Sequence, residues 1–84
     1  MAYTVAFVAE ARDDLRRLDS VIAQRILSKL DWLADRFDEV TPETLTGQWE
    51  GAFKLRVGDY SIIYTVEQNE IVVHAMGHRR EIYR

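Results

Sequence analysis

The stretch that decides the fold is AFKLRVGDYSIIYTVEQNEIVVHAM, residues 52–76. It contains three runs rich in β-branched and aromatic residues, which predict three strands. Gly58-Asp59 lies between the first two runs and is a two-residue hairpin signal, while Gln68-Asn69 between the last two is a weaker one. The second half of the chain is therefore predicted to form a three-stranded antiparallel meander.

The first half of the chain predicts one strand and a helical hairpin. AYTVAF, residues 2–7, is short, β-branched and aromatic, and from Ala9 onward apolar residues recur every three or four positions. The pair Asp19-Ser20 interrupts this helical pattern and offers an N-cap, so we expect two helices rather than one. The apolar stripe consists of Ala11, Leu15, Leu18, Ile22, Ile26, Leu30, Leu33 and Phe37.

The chain of 84 residues predicts a single domain, residues 1–84, of the α+β class. Its element order is β-α-α-β-β-β, with an antiparallel sheet and the helical hairpin packed on one face. The main loop is VTPETLTGQWEG, residues 40–51, which holds the only proline. The absence of cysteine excludes disulfides and thiolate chemistry. No signal peptide or membrane-length apolar run is present, so we expect a cytoplasmic protein without a membrane, metal or cofactor requirement.

Simple alternation through both turns divides the meander into two faces. The face toward the helices is predicted to hold Phe53, Leu55, Val57, Tyr60, Ile62, Tyr64, Ile71, Val73 and Ala75. The opposite, open face is predicted to hold Lys54, Arg56, Ser61, Ile63, Thr65, Val72, His74, Met76 and His78. One interpretation of the open face is an ordinary solvated sheet surface, where lysine and arginine are common.

The last third of the chain is basic although the formal net charge of the protein is -3. Cations and histidines gather on the open face and in the terminal sequence HAMGHRREIYR, residues 74–84. Arginine binds phosphate through two hydrogen bonds, lysine supplies a compact charge, tyrosine stacks on bases and histidine exchanges protons near neutral pH. These groups together are suited to binding and cutting an RNA backbone.

LTGQWEGAFKLRVGDYSIIYTV (residues 45–66) followed by VVHAMGHRREIYR (residues 72–84) resembles the RelE/ParE superfamily, and most closely its RelE branch. The first strand and helix are also similar, so the resemblance covers nearly the whole chain. It implies a type II toxin that acts as a metal-independent endoribonuclease (mRNA interferase), cutting mRNA in the ribosomal A site and stopping translation. The implied partners are a cognate RelB-like antitoxin, in a toxin–antitoxin hetero-oligomer, and the ribosome with its mRNA.

The resemblance also implies the site residues. Lys54 and Arg56 would neutralise phosphate charge, Arg79 would stabilise the transition state or donate a proton, and Tyr83 would stack on a base or assist the 2′-OH. His78 is the acid/base candidate on chemical grounds, because its reference pKa is ~6.5. The predicted catalytic set is Lys54, Arg56, His78, Arg79 and Tyr83. The predicted RNA-binding set is Lys54, Arg56, His74, Arg80 and Arg84.

Two positions depart from the pattern of the family, because Ser61 stands where an arginine is usual and Ala52 where some relatives carry lysine. Two further hypotheses therefore stay open. One is a ParE-like inhibitor of DNA gyrase, and the other is a catalytically weakened toxin that acts as an antitoxin-binding module. An uncovered edge strand over residues 2–7 is a candidate place for an antitoxin to add itself.

Overall fold

The computed structural model describes residues 3–82 and confirms the predicted α+β class with a helical hairpin on one side of a sheet. The predictions for Tyr83 and Arg84, and for Ala2 in the first strand, lie outside the described residues. Two 3-10 turns interrupt the loops, at Phe37–Glu39 and Gly47–Trp49. The remaining elements are β1 (Thr4–Phe7), α1 (Ala9–Arg17), α2 (Ser20–Arg36), β2 (Glu43–Thr44), β3 (Phe53–Val57), β4 (Tyr60–Glu67), β5 (Glu70–His78) and α3 (Arg79–Ile82).

The sheet has five strands in the order β1-β5-β4-β3-β2. The predicted meander β3-β4-β5 is antiparallel and turns at Gly58-Asp59 and Gln68-Asn69, as expected. Strand β1 joins parallel to β5 because the two helices carry the chain back across the sheet before the meander begins. Strand β2 lies in the predicted main loop and has only two residues, which is too short to leave a pattern in the sequence.

The helical hairpin forms as predicted, and its apolar stripe faces the core. Asp19 is the N-cap of α2, and its carboxylate accepts a hydrogen bond from the Val21 backbone N–H at 2.9 Å. All eight stripe residues belong to or pack against the core, where Ile26, Leu30 and Leu33 are at most 1% exposed. None of the helices within residues 3–82 combines the length and apolar character needed to cross a membrane.

The register of β5 departs from simple alternation at His74. Tyr64 pairs with Val73 while Ile63 pairs with Ala75, so His74 is one extra residue on β5. Such a β-bulge exchanges the two faces for every residue that follows it. Met76, which is 4% exposed, therefore packs in the core, and Ala75 lies on the other side. The predicted faces of Ala75, Met76 and His78 were wrong for this reason.

The face without helices, called here the helix-free face, carries Lys54, Arg56, Ser61, Ile63, Thr65, Ala75 and Gly77. It is not uniformly open. Ser61 is 1% exposed and Ile63 is 0% exposed, so the centre of this face is buried although none of the helices within residues 3–82 packs on it. The prediction of a wet surface is wrong for these two residues and right for Arg56, which is exposed.

Candidate functional site

Lys54 and Arg56 lie on β3 with one residue between them, so both point to the helix-free face. Lys54 pairs across the sheet with Ile63, and Arg56 pairs with Ser61. The two cations differ in exposure, because Arg56 is exposed while only 11% of the Lys54 side chain is accessible. The expectation that Lys54 lies on exposed surface was therefore wrong, since the short strand β2 lies along its flank.

Glu43 is a site residue that the sequence did not identify. It pairs with Lys54 across β2 and β3, and its Oε2 lies 2.8 Å from the Lys54 Nζ. The hydrogen bond from Lys54 lowers the pKa of Glu43, and the charges of Lys54 and Arg56 lower it further. Glu43 is therefore ionised at neutral pH, and an ionised carboxylate can accept a proton. The only sequence signal was an acidic residue after Pro42, which does not reveal its cross-strand partner.

Arg79 and Arg80 begin α3 next to the turn that joins β3 to β4. The Arg79 backbone N–H donates a hydrogen bond to the Asp59 carbonyl oxygen at 2.8 Å, and both arginine side chains are exposed. The cross-strand row Arg56, Ser61, Gly77 leads toward this end of the sheet. Neighbouring strands are about 4.8 Å apart, so Arg56 and Gly77 have Cα atoms roughly 10 Å from one another. The structure therefore brings Arg79 and Arg80 to the same end of the sheet as Arg56.

His74 occupies the other end of this surface. Its Nε2 lies 2.8 Å from the Thr65 hydroxyl oxygen, and both residues line a pocket of about 190 Å³ together with Trp49. Strand β5 rises about 3.3 Å per residue, which places His74 roughly 16 Å from Arg79 along the chain. His74 therefore borders the cationic surface and does not contact the arginines of α3.

His78 does not lie with Lys54 and Arg56, because the bulge turns it toward the helices. It pairs with Tyr60, and the two rings contact edge to face with centroids 5.6 Å apart. The His78 Nδ1 accepts a hydrogen bond from the Arg80 backbone N–H at 3.2 Å. The prediction that His78 shares the open surface was wrong. Its contacts hold the start of α3 instead.

Within residues 3–82, no group of three or more histidine, cysteine, aspartate or glutamate side chains is placed to hold a metal ion. The charged groups of the candidate site are two cations, Lys54 and Arg56, and one carboxylate, Glu43. Such a set can bind a phosphodiester, stabilise negative charge on phosphorus and accept a proton.

Acidification is expected to remove the contribution of the Glu43–Lys54 pair to stability. Because the folded-state pKa of Glu43 is lowered, the contribution is present above the unfolded pKa and disappears as pH falls through the folded value. Because 55% of the Glu43 side chain is accessible, water screens the pair and its contribution is at most about 1 kcal/mol. Urea unfolding at pH 7 and pH 3 should show a smaller loss for Glu43→Gln than for the unsubstituted protein. Equal losses would mean that the pair contributes nothing to folding.

Comparisons with known proteins agree with this architecture. A family model described as the ParE toxin of the type II toxin–antitoxin system parDE matches residues 5–83. Toxin RelG of Mycobacterium tuberculosis is 30% identical over 86 residues, which covers 100% of this chain and 99% of RelG. A chain in the crystal structure of the RelBE2 toxin–antitoxin complex of M. tuberculosis aligns with TM-score 0.83 and 26% identity, covering 96% of this chain and 95% of that one. A double arginine-to-alanine mutant of E. coli toxin RelE in the free state aligns with TM-score 0.81 and 21% identity, covering 99% and 90%.

The five-stranded sheet with a helical hairpin on one side is a fold that this chain shares with RelE-like toxins. The chain belongs to the ParE toxin family, within the RelE/ParE superfamily of type II toxin–antitoxin toxins. The predicted resemblance to this superfamily is thereby confirmed.

Proposed function

We propose that this toxin is a metal-independent endoribonuclease that cleaves mRNA in the ribosomal A site and so inhibits translation. The observation that carries the proposal is the cluster on β2 and β3, where Lys54, Arg56 and an ionised Glu43 meet on the helix-free face. A gyrase inhibitor needs an interaction surface but no paired base and cations, so this cluster favours chemistry over binding alone. The proposed place of action is the cytoplasm, where ribosomes and mRNA are.

In the proposed reaction the ribose 2′-OH attacks the adjacent phosphorus, the P–O5′ bond breaks, and a cyclic phosphate and a free 5′-OH result. Glu43 accepts the proton of the 2′-OH, while Lys54 and Arg56 bind the phosphate oxygens on which charge develops. Before RNA binds, Lys54 forms an ion pair with Glu43. When Lys54 turns toward the phosphate, Glu43 loses its strongest partner, its pKa rises, and it becomes a better base.

The C-terminal segment would act on the leaving-group side. Arg79 is proposed to stabilise the departing 5′-oxygen, which takes a proton from water as the P–O5′ bond breaks, and Arg80 to bind a neighbouring phosphate. Tyr83 and Arg84 are assigned to base stacking and phosphate binding from the family resemblance. His74, beside the pocket with Trp49, would contact RNA rather than take part in the reaction. His78 is no longer proposed as the acid or base, because it packs against Tyr60.

The proposed partners follow from the family. Structures similar to this chain include toxin–antitoxin complexes, among them RelBE2 of M. tuberculosis, so a cognate RelB-like antitoxin in a hetero-oligomer is proposed here too. Strand β1 is an edge strand in the observed sheet order. No strand within residues 3–82 pairs with its outer side, which keeps it as the proposed place for the antitoxin to add itself.

The test is primer extension on a defined message, with purified protein and programmed ribosomes in one reaction and naked message in the other. Cuts at one position of the A-site codon that are absent from naked RNA would support the proposal. If ribosomes show no cuts, a supercoiling assay with DNA gyrase tests the ParE-like alternative. If neither target responds while the antitoxin still binds, the toxin is a catalytically weakened binding module.

Restoring an arginine at position 61 is expected to raise the rate of cleavage roughly tenfold or more, because it returns a phosphate-stabilising group. Ser61 is 1% exposed, but it lies between Arg56 and Gly77, and a Cβ added at Gly77 would meet no atom within 4 Å. A long side chain at position 61 can therefore extend across the surface above Gly77. Filling a buried position should also lower the free energy of unfolding by about 1–3 kcal/mol. Both quantities are measured for Ser61→Arg, by single-turnover cleavage and by urea unfolding.

Ser61→Met is the matched control, since it adds a side chain of comparable length without charge. We expect it to lose stability as Ser61→Arg does and to gain no activity. If Ser61→Met and Ser61→Arg cleave at the same rate, a missing cation is not what limits this toxin.

A further inference from the structure

Within residues 3–82, the second half of β5 has no neighbouring strand on the side of β1. Strand β1 pairs with β5 only from Thr4↔Glu70 to Phe7↔Val73, and the Val8 N–H donates to the Val73 carbonyl as the chain leaves the sheet. Met76, which is 4% exposed, lies beyond this point. A buried backbone N–H at a strand edge is costly unless another group accepts its hydrogen bond.

Asp14 on α1 provides that acceptor. Its Oδ2 receives the Met76 N–H at 3.2 Å, and its Oδ1 lies 3.8 Å from the Arg17 Nη1 one turn further along the helix. The carboxylate thus takes the place of the carbonyl that a longer β1 would have offered. It ties α1 to a backbone group that is 62 residues away in the sequence.

The position of this contact matters because it follows the bulge at His74. If β5 slipped by one residue and lost the bulge, Met76 and His78 would turn to the helix-free face and Ala75 would enter the core, as plain alternation predicts. The Met76 N–H would then no longer be directed at the Asp14 carboxylate. The hydrogen bond to Asp14 is therefore available only in the bulged register.

The segment after Met76 leads directly to the candidate site. In the bulged register, Gly77 pairs with Ser61, His78 packs on Tyr60, and the Arg79 N–H reaches the Asp59 carbonyl. A slip of one residue would displace each of these contacts by about 3.3 Å. The place of Arg79 beside the row that contains Arg56 depends on the same register.

We propose that Asp14 is a positioning residue that selects the bulged register of β5 and thereby sets where Arg79 stands relative to Arg56. Asp14 lies on the helix side of the sheet and does not reach the helix-free face. Asp14 affects cleavage only indirectly, because it fixes the position of the β5 backbone. The effect of Asp14 on cleavage rests on the proposed function, whereas its effect on the register of β5 does not.

The structural test is amide hydrogen exchange and cross-strand NOE spectroscopy on the whole protein. In the unsubstituted protein the Met76 amide should be protected, and NOEs should connect Met76 with Ile62 and Gly77 with Ser61. Asp14→Ala should reduce protection of the Met76 amide at least tenfold. Asp14→Asn should retain it, because the amide oxygen still accepts a hydrogen bond. Asp13→Ala is the matched control, since Asp13 is exposed and pairs only with Arg16 in the described structure.

The functional test measures cleavage on ribosomes for the same variants. Asp14→Ala should lower the single-turnover rate at saturating ribosome by up to about 10²-fold without weakening ribosome binding, as expected for a displaced catalytic group. Asp14→Asn should restore most of the rate, and Asp13→Ala should not change it. A merely structural loss would lower the amount of folded protein and leave the rate per folded molecule unchanged.

Two results would overturn the proposal. The first is fast exchange of the Met76 amide in the unsubstituted protein, at the rate of an unpaired edge amide. This measurement does not depend on any variant being able to fold. The other is an Asp14→Ala protein that keeps Met76 protection and the Ile62–Met76 pairing. If the unsubstituted protein cleaves no RNA but exchange and NOEs follow the expected pattern, the assignment of the register to Asp14 holds and only the proposed ribonuclease function fails.

Discussion

Lys54→Ala is expected to lower the rate of mRNA cleavage on the ribosome by about 10² to 10³-fold, the usual effect of removing one group that stabilises a transition-state charge. The Lys54 side chain is only 11% accessible and its Nζ lies 2.8 Å from Glu43, so its ammonium group already stands at the site and has only to turn from the carboxylate to the phosphate when RNA arrives. The measurement is single-turnover primer extension with saturating ribosomes. Cells that express the Lys54→Ala protein should also regain growth.

Lys29→Ala is the matched control, because Lys29 and Lys54 are the two lysines of the chain. The Lys29 Nζ lies over the ring of Trp32 on α2, 3.9 Å from its centroid, on the helical side of the molecule. Both variants lose one positive charge, and only Lys54→Ala should lose activity. Full cleavage by Lys54→Ala would contradict the proposed site. A melting temperature that falls with the rate would instead assign Lys54 a role in folding through its pair with Glu43.

The fold could be predicted from the sequence wherever local patterns determine the packing. The helical stripe, the cap at Asp19 and both hairpin turns depend on neighbouring residues, and each was confirmed. The two-residue strand β2 and the parallel pairing of β1 depend on contacts between distant segments. No run of residues in the sequence records such contacts. The class of fold was therefore accessible, while the edges of the sheet were not.

The residues of the candidate site were harder to predict from the sequence than the fold, for the same reason. Lys54 and Arg56 were placed together correctly because β3 is regular and its turn is unambiguous. His78 was misplaced because one extra residue at His74 reverses the alternation, and the sequence EIVVHAM contains no glycine or proline to mark a bulge. Glu43 was missed because its role arises from the cross-strand pair with Lys54. Long-range pairing thus decides which charged groups can act together.

Leu30→Ala is expected to lower the free energy of unfolding by about 2–5 kcal/mol, through lost apolar burial and the cavity left behind. Leu30 is 1% exposed in the middle of α2 and belongs to the buried cluster that joins the helices to β4 and β5. A chain of 84 residues has a total stability of about 4–13 kcal/mol. The substitution therefore removes a large fraction of it, and the melting temperature should fall by roughly 10 °C or more.

Leu27→Ala provides the comparison, since it makes the same chemical change on the same helix at a half-buried position outside the core cluster. It should lower the free energy of unfolding by clearly less than Leu30→Ala does. Neither leucine lies on the helix-free face, so both variants should cleave at the unsubstituted rate per folded molecule at low temperature. Equal destabilisation by the two changes would show that the helical hairpin is not anchored to the sheet through Leu30. A lower rate per folded molecule in Leu30→Ala alone would show that packing of the hairpin controls the geometry of β3 and its cations.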